Sequence, residues 1–290
     1  MDVITFEEKR RKFLPRVPRA VGKPTVYLEG YPTGDGEPMS ATEFHGRQIS
    51  ILSTQLNDYF SGEDVLAYVG TDSFVYYQAG NKQEFIGPDI YVVLGVPPTP
   101  VRKSFYTWEE GAAPAVVFEF LSESTEKEDR GEKMRRYFLE VGIYEYFTHQ
   151  PSGERPPEFR AWRRRGEGYE EILPDERGAL YSEALKLWFM VKELPNRVRL
   201  MRPYLLDGTP LPTLEEAKAE AAEAKEQAAE AEVRAAEAEA QIAEAKAEAA
   251  EAKEQTAEAE VRAVGAEARA AELEADIAQL RAALEQFSRP

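Results

Sequence analysis

The sequence predicts an α/β or α+β layer fold of medium size followed by one long C-terminal helix. Three observations carry this prediction. Short β-branched and aromatic runs are interspersed with two substantial amphipathic segments between residues 40 and 201. Composition changes abruptly at Pro210-Leu-Pro-Thr213. Beyond that point Ala and Glu dominate, and glycine and proline nearly vanish until Pro290. A chain of 290 residues has room for one medium domain and an extension.

Taken in order, residues 1–24 are basic and contain prolines, and read as an irregular arm. Residues 40–60 read as a helix that Ser40 or Thr42 would cap, with Ile49, Leu52, Leu56 and Phe60 on one face. Short strands are expected at 64–69 and 73–78, then at 86–94 and 115–121. A helix follows near 126–141, closed by Gly142. Further strand-like runs lie at 143–148, 158–163, 169–173, 186–192 and 197–201. The domain plan is an arm at 1–24, a folded domain at 25–205, a linker at 206–212 and a coiled-coil helix at 213–288.

The tail carries an internal repeat. Residues 215–235 and 243–263 are nearly the same sequence, with Glu-Ala-Lys-Glu-Gln at 223–227 and again at 251–255. The offset corresponds to about four heptads. A 3-4 spacing of apolar residues runs through Leu214, Ala217, Ala221, Ala224 and Ala228. It resumes at Ile242, Ala245, Ala249 and Ala252, and finishes with Leu273, Ile277, Leu280, Leu284 and Phe287. Such a seam, narrow in the middle and bulky at the end, predicts self-association into a homo-oligomer. The competing reading is a single solvated helix held by propensity and Glu/Lys pairs. Val233 and Val261 fall off the seam, and Gly265 is a weak point.

Composition excludes several classes. With no cysteine, disulfide scaffolds and thiolate metal sites are out, which fits a reducing cytoplasm. Met1 to Ala20 lacks the apolar core of a secretory signal, and no segment approaches the run of about 20 apolar residues that spans a bilayer, so no membrane partner is expected. The net charge of −17 is unevenly spread. Thr213–Pro290 hold 9 Lys and Arg against 20 Asp and Glu, a net of −11, which leaves only −6 on the rest of the chain. The acidity therefore says little against a nucleic-acid partner for the folded part.

Two carboxylates interrupt runs that would otherwise be buried strands. Asp89 lies in Phe85-Ile-Gly-Pro-Asp-Ile-Tyr-Val-Val-Leu94, and Glu119 in Ala115-Val-Val-Phe-Glu-Phe-Leu121. A carboxylate inside a strand is costly unless a cation or hydrogen-bond donors meet it. If the strands pair, both converge on one edge of the sheet, where oxygen ligands suit Mg²⁺ or Mn²⁺ rather than zinc. On the following helix Asp129, Lys133 and Tyr137 form one stripe, and Met134, Phe138 and Val141 form the adjacent apolar stripe. Lys133 would then stand near the metal, placed to orient a water or stabilise a developing phosphorane charge. Two carboxylates and a lysine are the requirement of a metal-dependent phosphodiester hydrolase.

These residues carry a family resemblance. Pro88-Asp89, Glu119-Phe-Leu-Ser122-x-Ser124-Thr125, Asp129-x-x-x-Lys133-x-x-x-Tyr137 and Gly142-Ile-Tyr-Glu-Tyr-Phe147 resemble the Uma-type restriction endonuclease family, a bacterial branch of the PD-(D/E)XK nuclease superfamily. Glu37 within Gly36-Glu-Pro-Met39, Phe74-Val-Tyr-Tyr77 and Trp108-Glu-Glu-Gly111 extend the likeness over roughly residues 25–205. The resemblance implies a restriction-endonuclease-like mixed central sheet flanked by helices. It also implies Mg²⁺- or Mn²⁺-dependent hydrolysis of DNA, with Asp89 and Glu119 as metal ligands, Lys133 assisting the attacking water, and Asp129, Tyr137 and Ser122 in support. The superfamily lysine would follow Glu119 by two residues; Leu121 stands there, so Lys133 must reach in from the helix. An acidic residue of the first helix, Asp58 or Glu43, would complete the site.

Plainer readings stand beside these. The lesser reading makes Asp89 a turn residue after Pro88, Glu119 the partner of a buried arginine, and Lys133 a solvated helix residue. Ser122 and Ser124 read as helix caps, His45 and His149 as structural or surface residues, and Trp108, Tyr144 and Tyr146 as packing. Arg160, Arg163, Arg164 and Arg165 suit either phosphate contacts or an exposed charged hairpin. The alternative function is a catalytically weak nucleic-acid-binding protein of nuclease fold, or an assembly protein in which the coil does the work.

Overall fold

The computed structural model describes residues 5–34, 43–62, 64–121, 130–195 and 197–287. Within them the helices are α1 (Phe6–Phe13), α2 (Glu43–Tyr59), α3 (Thr107–Glu110), α4 (Arg130–Arg135, continued as a π-helical turn over Arg136–Val141) and α5 (Leu214–Phe287). The strands are β1 (Ala67–Thr71), β2 (Val75–Tyr76), β3 (Phe85–Ile86), β4 (Ile90–Leu94), β5 (Phe105–Tyr106), β6 (Val116–Phe120), β7 (Glu145–His149), β8 (Phe159–Arg165), β9 (Gly168–Glu171), β10 (Leu180–Ser182), β11 (Leu187–Leu194) and β12 (Val198–Tyr204). The chain divides into two compact units, Met1–Lys218 and Ala219–Pro290.

The first unit is the mixed α+β domain. Six strands form a central sheet in the order β1-β4-β6-β7-β8-β9, with β6 and β7 parallel and the other neighbours antiparallel. Two three-stranded sheets accompany it, β10-β11-β12 and β3-β2-β5. Side chains alternate across a strand, and the neighbouring interior strands β4 and β6 show it. Ile90, Val92, Val116, Phe118 and Phe120 enter one core with Leu52 and Leu56 of α2, Phe189 of β11 and Met201 of β12. Tyr91, Val93 and Val117 enter the other with Val75, Phe105, Met134, Tyr137 and Phe138. Strands covered on both faces explain the nearly continuous apolar runs that marked them in the sequence.

Packing fixes the register. Phe118 lies between Phe147 and Phe189, each with its ring centroid 5.2 Å away, and burying it stabilises the fold by about 1.5–3 kcal/mol. Helix α2 buries Ile49, Leu52 and Leu56, as the periodicity predicts, with Phe60 buried just beyond its end. The buried amide of Gln48 clamps it to β12: Nε2 donates to Met201 O at 3.1 Å, and Met201 N donates to Oε1 at 2.8 Å. Gly70 is required by close approach, because a Cβ there would lie 2.1 Å from the Tyr91 ring. Gly142 ends the π-turn in the left-handed conformation at φ 81°, where its backbone N–H bonds to Tyr137 O.

Three local readings change. The arm read as irregular contains α1, because Thr5 and Glu8 form a reciprocal capping box. Arg10 of that helix is buried, held by Glu7 and by Tyr59 O at 2.6 Å. The stretch read as a linker is partly tied down. Tyr204 bridges Pro210, Leu211 is buried, and Leu211 O accepts from Gln55 Nε2 at 2.6 Å. The run at 86–94 is two strands, β3 and β4, broken at Gly87-Pro-Asp89, where Pro88 has no N–H to give a ladder. The expected caps Ser40 and Thr42 lie outside the described residues.

The second unit consists of the long helix from Ala219 onward. Glu230–Arg234 and Glu258–Arg262 form i,i+4 pairs along it, at 3.3 and 3.0 Å. Among the described residues no helix is long and apolar enough to cross a membrane.

Candidate active site

The break before β4 leaves Asp89 just outside the ladder that pairs Ile90 with Phe118. Its carboxylate therefore faces the end of β6. Oδ2 accepts from Phe120 N at 2.6 Å, and Oδ1 lies 2.9 Å from His45 Nε2 of α2. The Asp89 carbonyl accepts from Asp72 N at 3.2 Å. Asp72 itself occupies a left-handed backbone position at φ 43°.

Glu119 shares the Val117 face of β6, as alternation predicts, and is buried beneath α4. Oε2 pairs with Lys133 Nζ at 3.1 Å, and Oε1 accepts from the Tyr137 hydroxyl at 2.5 Å. Lys133 and Tyr137 are four residues apart, so one stripe of the helix delivers both. The Lys133 ammonium also lies 5.8 Å from the centre of the Tyr137 ring. Met134, Phe138 and Val141 form the buried neighbouring stripe. Over Phe85, Ile86 and Gly87, with Glu132, Lys133, Arg136 and Tyr137 on the helix side, a cleft of about 320 Å³ opens to solvent.

The electrostatics follow from two acids sharing one partly buried place. Burial pushes the Glu119 carboxyl up to about 7; Lys133 pulls it down, Asp89 raises it further and the Tyr137 hydroxyl lowers it. Burial also holds the Tyr137 phenol well above its ordinary value, and the adjacent Glu119 charge adds to this. For His45, burial acts downward. The hydrogen bond to Asp89 and the charges of Asp89, Asp72 and Glu119 outweigh it and raise the imidazole. Asp72 is raised by partial burial and by Asp89, with His45 acting the other way.

The structure thus brings together Asp89, Glu119, Lys133 and Tyr137. Ser122 and Asp129, together with Ser124 and Thr125, lie outside the described residues. The partner of Glu119 is a lysine and not an arginine. At the superfamily's lysine position, Leu121 N closes the ladder with His149 O at 2.8 Å. The first helix contributes differently from expectation. Among the described residues, its side chain hydrogen-bonded to these carboxylates is His45; Asp58 is exposed at the far end of α2, and Glu43 lines a groove with Arg47 and Arg202. The sequence held one signal for His45: it lies four residues before Ile49, so it falls on the buried stripe. Asp72, in a short turn, gave none.

The basic run splits. Arg163 is buried against Glu145, whereas Arg160 and Arg165 lie at the surface paired with Glu171 and Glu170 on the β8–β9 hairpin. His149 is buried, with its ring nitrogens facing the Glu158 and Arg199 carbonyls.

The donor set fits a hard divalent cation. Asp89 and Glu119 offer carboxylate oxygens, each with a lone pair beyond the bonds described, and oxygen donors of this kind suit Mg²⁺ or Mn²⁺. Among the described residues no group of three or more His, Asp or Glu is gathered as a metal cage, so waters and substrate oxygens would complete the shell.

A mixed sheet between helical layers, with two acids and a lysine at the strand break, defines a restriction-endonuclease-like α+β domain. Residues 28–189 match the Uma2 family, described as "Putative restriction endonuclease", and the chain belongs to that family. Neither curated proteins nor solved structures gave a match to the chain.

Proposed function

We propose that the chain is a Mg²⁺- or Mn²⁺-dependent endodeoxyribonuclease that hydrolyses DNA phosphodiester bonds. The observation that supports this best is Lys133 Nζ at 3.1 Å from the buried Glu119, with Asp89 held at the end of the same strand by Phe120 N–H. Asp89 and Glu119 would hold the metal. When bound, it would lower the pKa of a coordinated water and offset phosphate charge.

The chain's own residues do the rest. Phe120 N–H and His45 fix both oxygens of Asp89. The Tyr137 hydroxyl fixes Glu119, so neither acid has to reorganise when substrate arrives. The Lys133 ammonium, held by Glu119 at the cleft, orients the attacking water and stabilises the charge that develops on phosphorus-bound oxygen. Lys133 thereby does from a helix what its counterpart does from the strand position that Leu121 occupies.

Leu121 also favours a second reading, in which the domain grips DNA and cuts poorly. Supercoiled plasmid incubated with the protein and Mg²⁺, Mn²⁺ or EDTA separates the two. Metal-dependent nicking or linearisation that is lost in Asp89→Ala supports the nuclease. DNA affinity without cleavage under either metal supports the binding protein. On the same reading the tail joins copies of the chain, and the protein works in the cytoplasm.

A further inference from the structure

The tail seam can be followed in a single register, and its flanking charges specify a partner. With Leu214 at position a, the next seam residue, Ala217, is at d. The same assignment puts Ile242, Thr256 and Ile277 at a, and Leu273 and Leu280 at d. The intervening seam residues from Ala217 to Ala270 are alanines. In the helix Ile242, Leu273, Ile277 and Leu280 are 48–66% exposed, an apolar line that a single helix leaves in water.

From this line we infer that the tail pairs with the same helix of a second copy, parallel and in register, as a two-stranded coiled coil. The flanking g and e positions carry the argument. In a parallel pair each g residue meets the e residue five positions further along the other helix. Glu220 then meets Lys225 of the second copy, Arg234 meets Glu239, and Glu248 meets Lys253. The rule continues with Arg262 against Glu267, Arg269 against Glu274 and Asp276 against Arg281. Where the g residue is Gln227, Gln241 or Gln255 the contact is neutral, and no like-charged pair arises between 220 and 281.

An antiparallel pair overlapped along its length does the opposite. It sets Glu232 against Glu267, Glu239 against Glu260 and Lys246 against Lys253. The seam agrees with the charges. Parallel register stacks Ile242 on Ile242 and gathers Leu273, Ile277 and Leu280 into one apolar end, whereas antiparallel register spends those side chains on alanines. At that apolar end, Ile277 at a with Leu273 and Leu280 at d is the combination that favours two strands. Arg234 and Arg262 already bond Glu230 and Glu258 within the helix, and a guanidinium has donors for a second acid.

The chain has no cysteine, so a single introduced thiol reports orientation. In the full-length protein, Ala224→Cys and Ala266→Cys each place equivalent d residues face to face only if the helices are parallel and in register. Light scattering should give the mass of two chains, and mild oxidation should link each variant to itself. A single-chain mass, a mass of three or more chains, or a two-chain complex that neither thiol crosslinks would overturn the inference. The charges have their own test. Lys225→Glu with Lys253→Glu should weaken dimerisation by roughly tenfold or more, and adding Glu220→Lys with Glu248→Lys should restore it. Unchanged dimerisation in the first double variant would remove the charge argument.

Discussion

Two buried glutamates stand on neighbouring strands of the same sheet, and their surroundings differ in kind. Glu145 of β7 lies opposite Arg163 of β8. Arg163 Nε holds Oε1 at 2.7 Å, Glu183 N donates to the same oxygen at 2.8 Å, and the Ser182 hydroxyl closes Oε2. Burial raises its carboxyl, and every other influence on it, from Ser182, Arg163 and Glu183 N–H, acts downward. Glu119 of β6 has a lysine and a phenol that line an open cleft, but it also has Asp89, a second acid that pushes the other way. A carboxylate sealed by a guanidinium and backbone is a structural rivet. A buried carboxylate whose charge is opposed by a second carboxylate is the kind of perturbed acid that active sites hold.

Four substitutions test the difference between the two glutamates and their surroundings. The largest effect belongs to the sealed acid. Glu145→Ala leaves Arg163 buried without its carboxylate and should cost about 3–5 kcal/mol of stability in thermal or urea unfolding. A variant as stable as the parent would mean that Glu145 is no rivet. Next, Lys133→Ala should slow metal-dependent plasmid cleavage by about 10²- to 10³-fold and lower the unfolding temperature less than Glu145→Ala does, because the Glu119 carboxyl, already pushed up to about 7, takes up a proton when its cation goes. Equal cleavage rates would return Lys133 to the status of a solvated helix residue.

A smaller loss is expected from Tyr137→Phe, which removes one donor from Glu119 and keeps the ring that packs on Tyr146. Cleavage should fall by about tenfold; a loss as deep as that of Lys133→Ala would give the phenol a part in the reaction itself. The smallest effect concerns His149 at the end of β7. Burial depresses its imidazole below the ordinary 6.5, against the pull of the Arg199 and Glu158 carbonyls. Its contribution to stability is therefore intact above pH 6.5 and lost as pH falls below it. The unfolding temperature should drop less between pH 7.5 and pH 5.5 in His149→Gln than in the parent. Parallel curves would show that burial does not control this histidine.

The same contrast explains what the sequence made legible. An acid in the middle of Val-Val-Phe-Glu-Phe announces itself, and four-residue spacing ties Lys133 to Tyr137. The apolar periodicities of α2 and α4 point to the faces that cover the sheet. The repeat of the tail is visible without any fold. The missing parts have little pattern of their own. β5 and β10 are two and three residues long, too short for an alternation to register. His45 looked structural because a histidine on an apolar face usually is, and only the fold sets it 2.9 Å from Asp89. Arg163 sat in a run of arginines that read as an exposed hairpin; its partner Glu145 is a neighbour across the sheet and not in sequence.

The most direct test is cleavage of supercoiled plasmid by the full-length protein and its Glu119→Ala variant, with Mg²⁺ and with EDTA. The parent should nick or linearise the plasmid in Mg²⁺ and leave it intact in EDTA, and the variant, still folded by circular dichroism, should lose about a thousandfold or more. Equal cleavage by parent and variant, or a parent that never cuts with Mg²⁺ or Mn²⁺, would rule out Glu119 as part of a nuclease site.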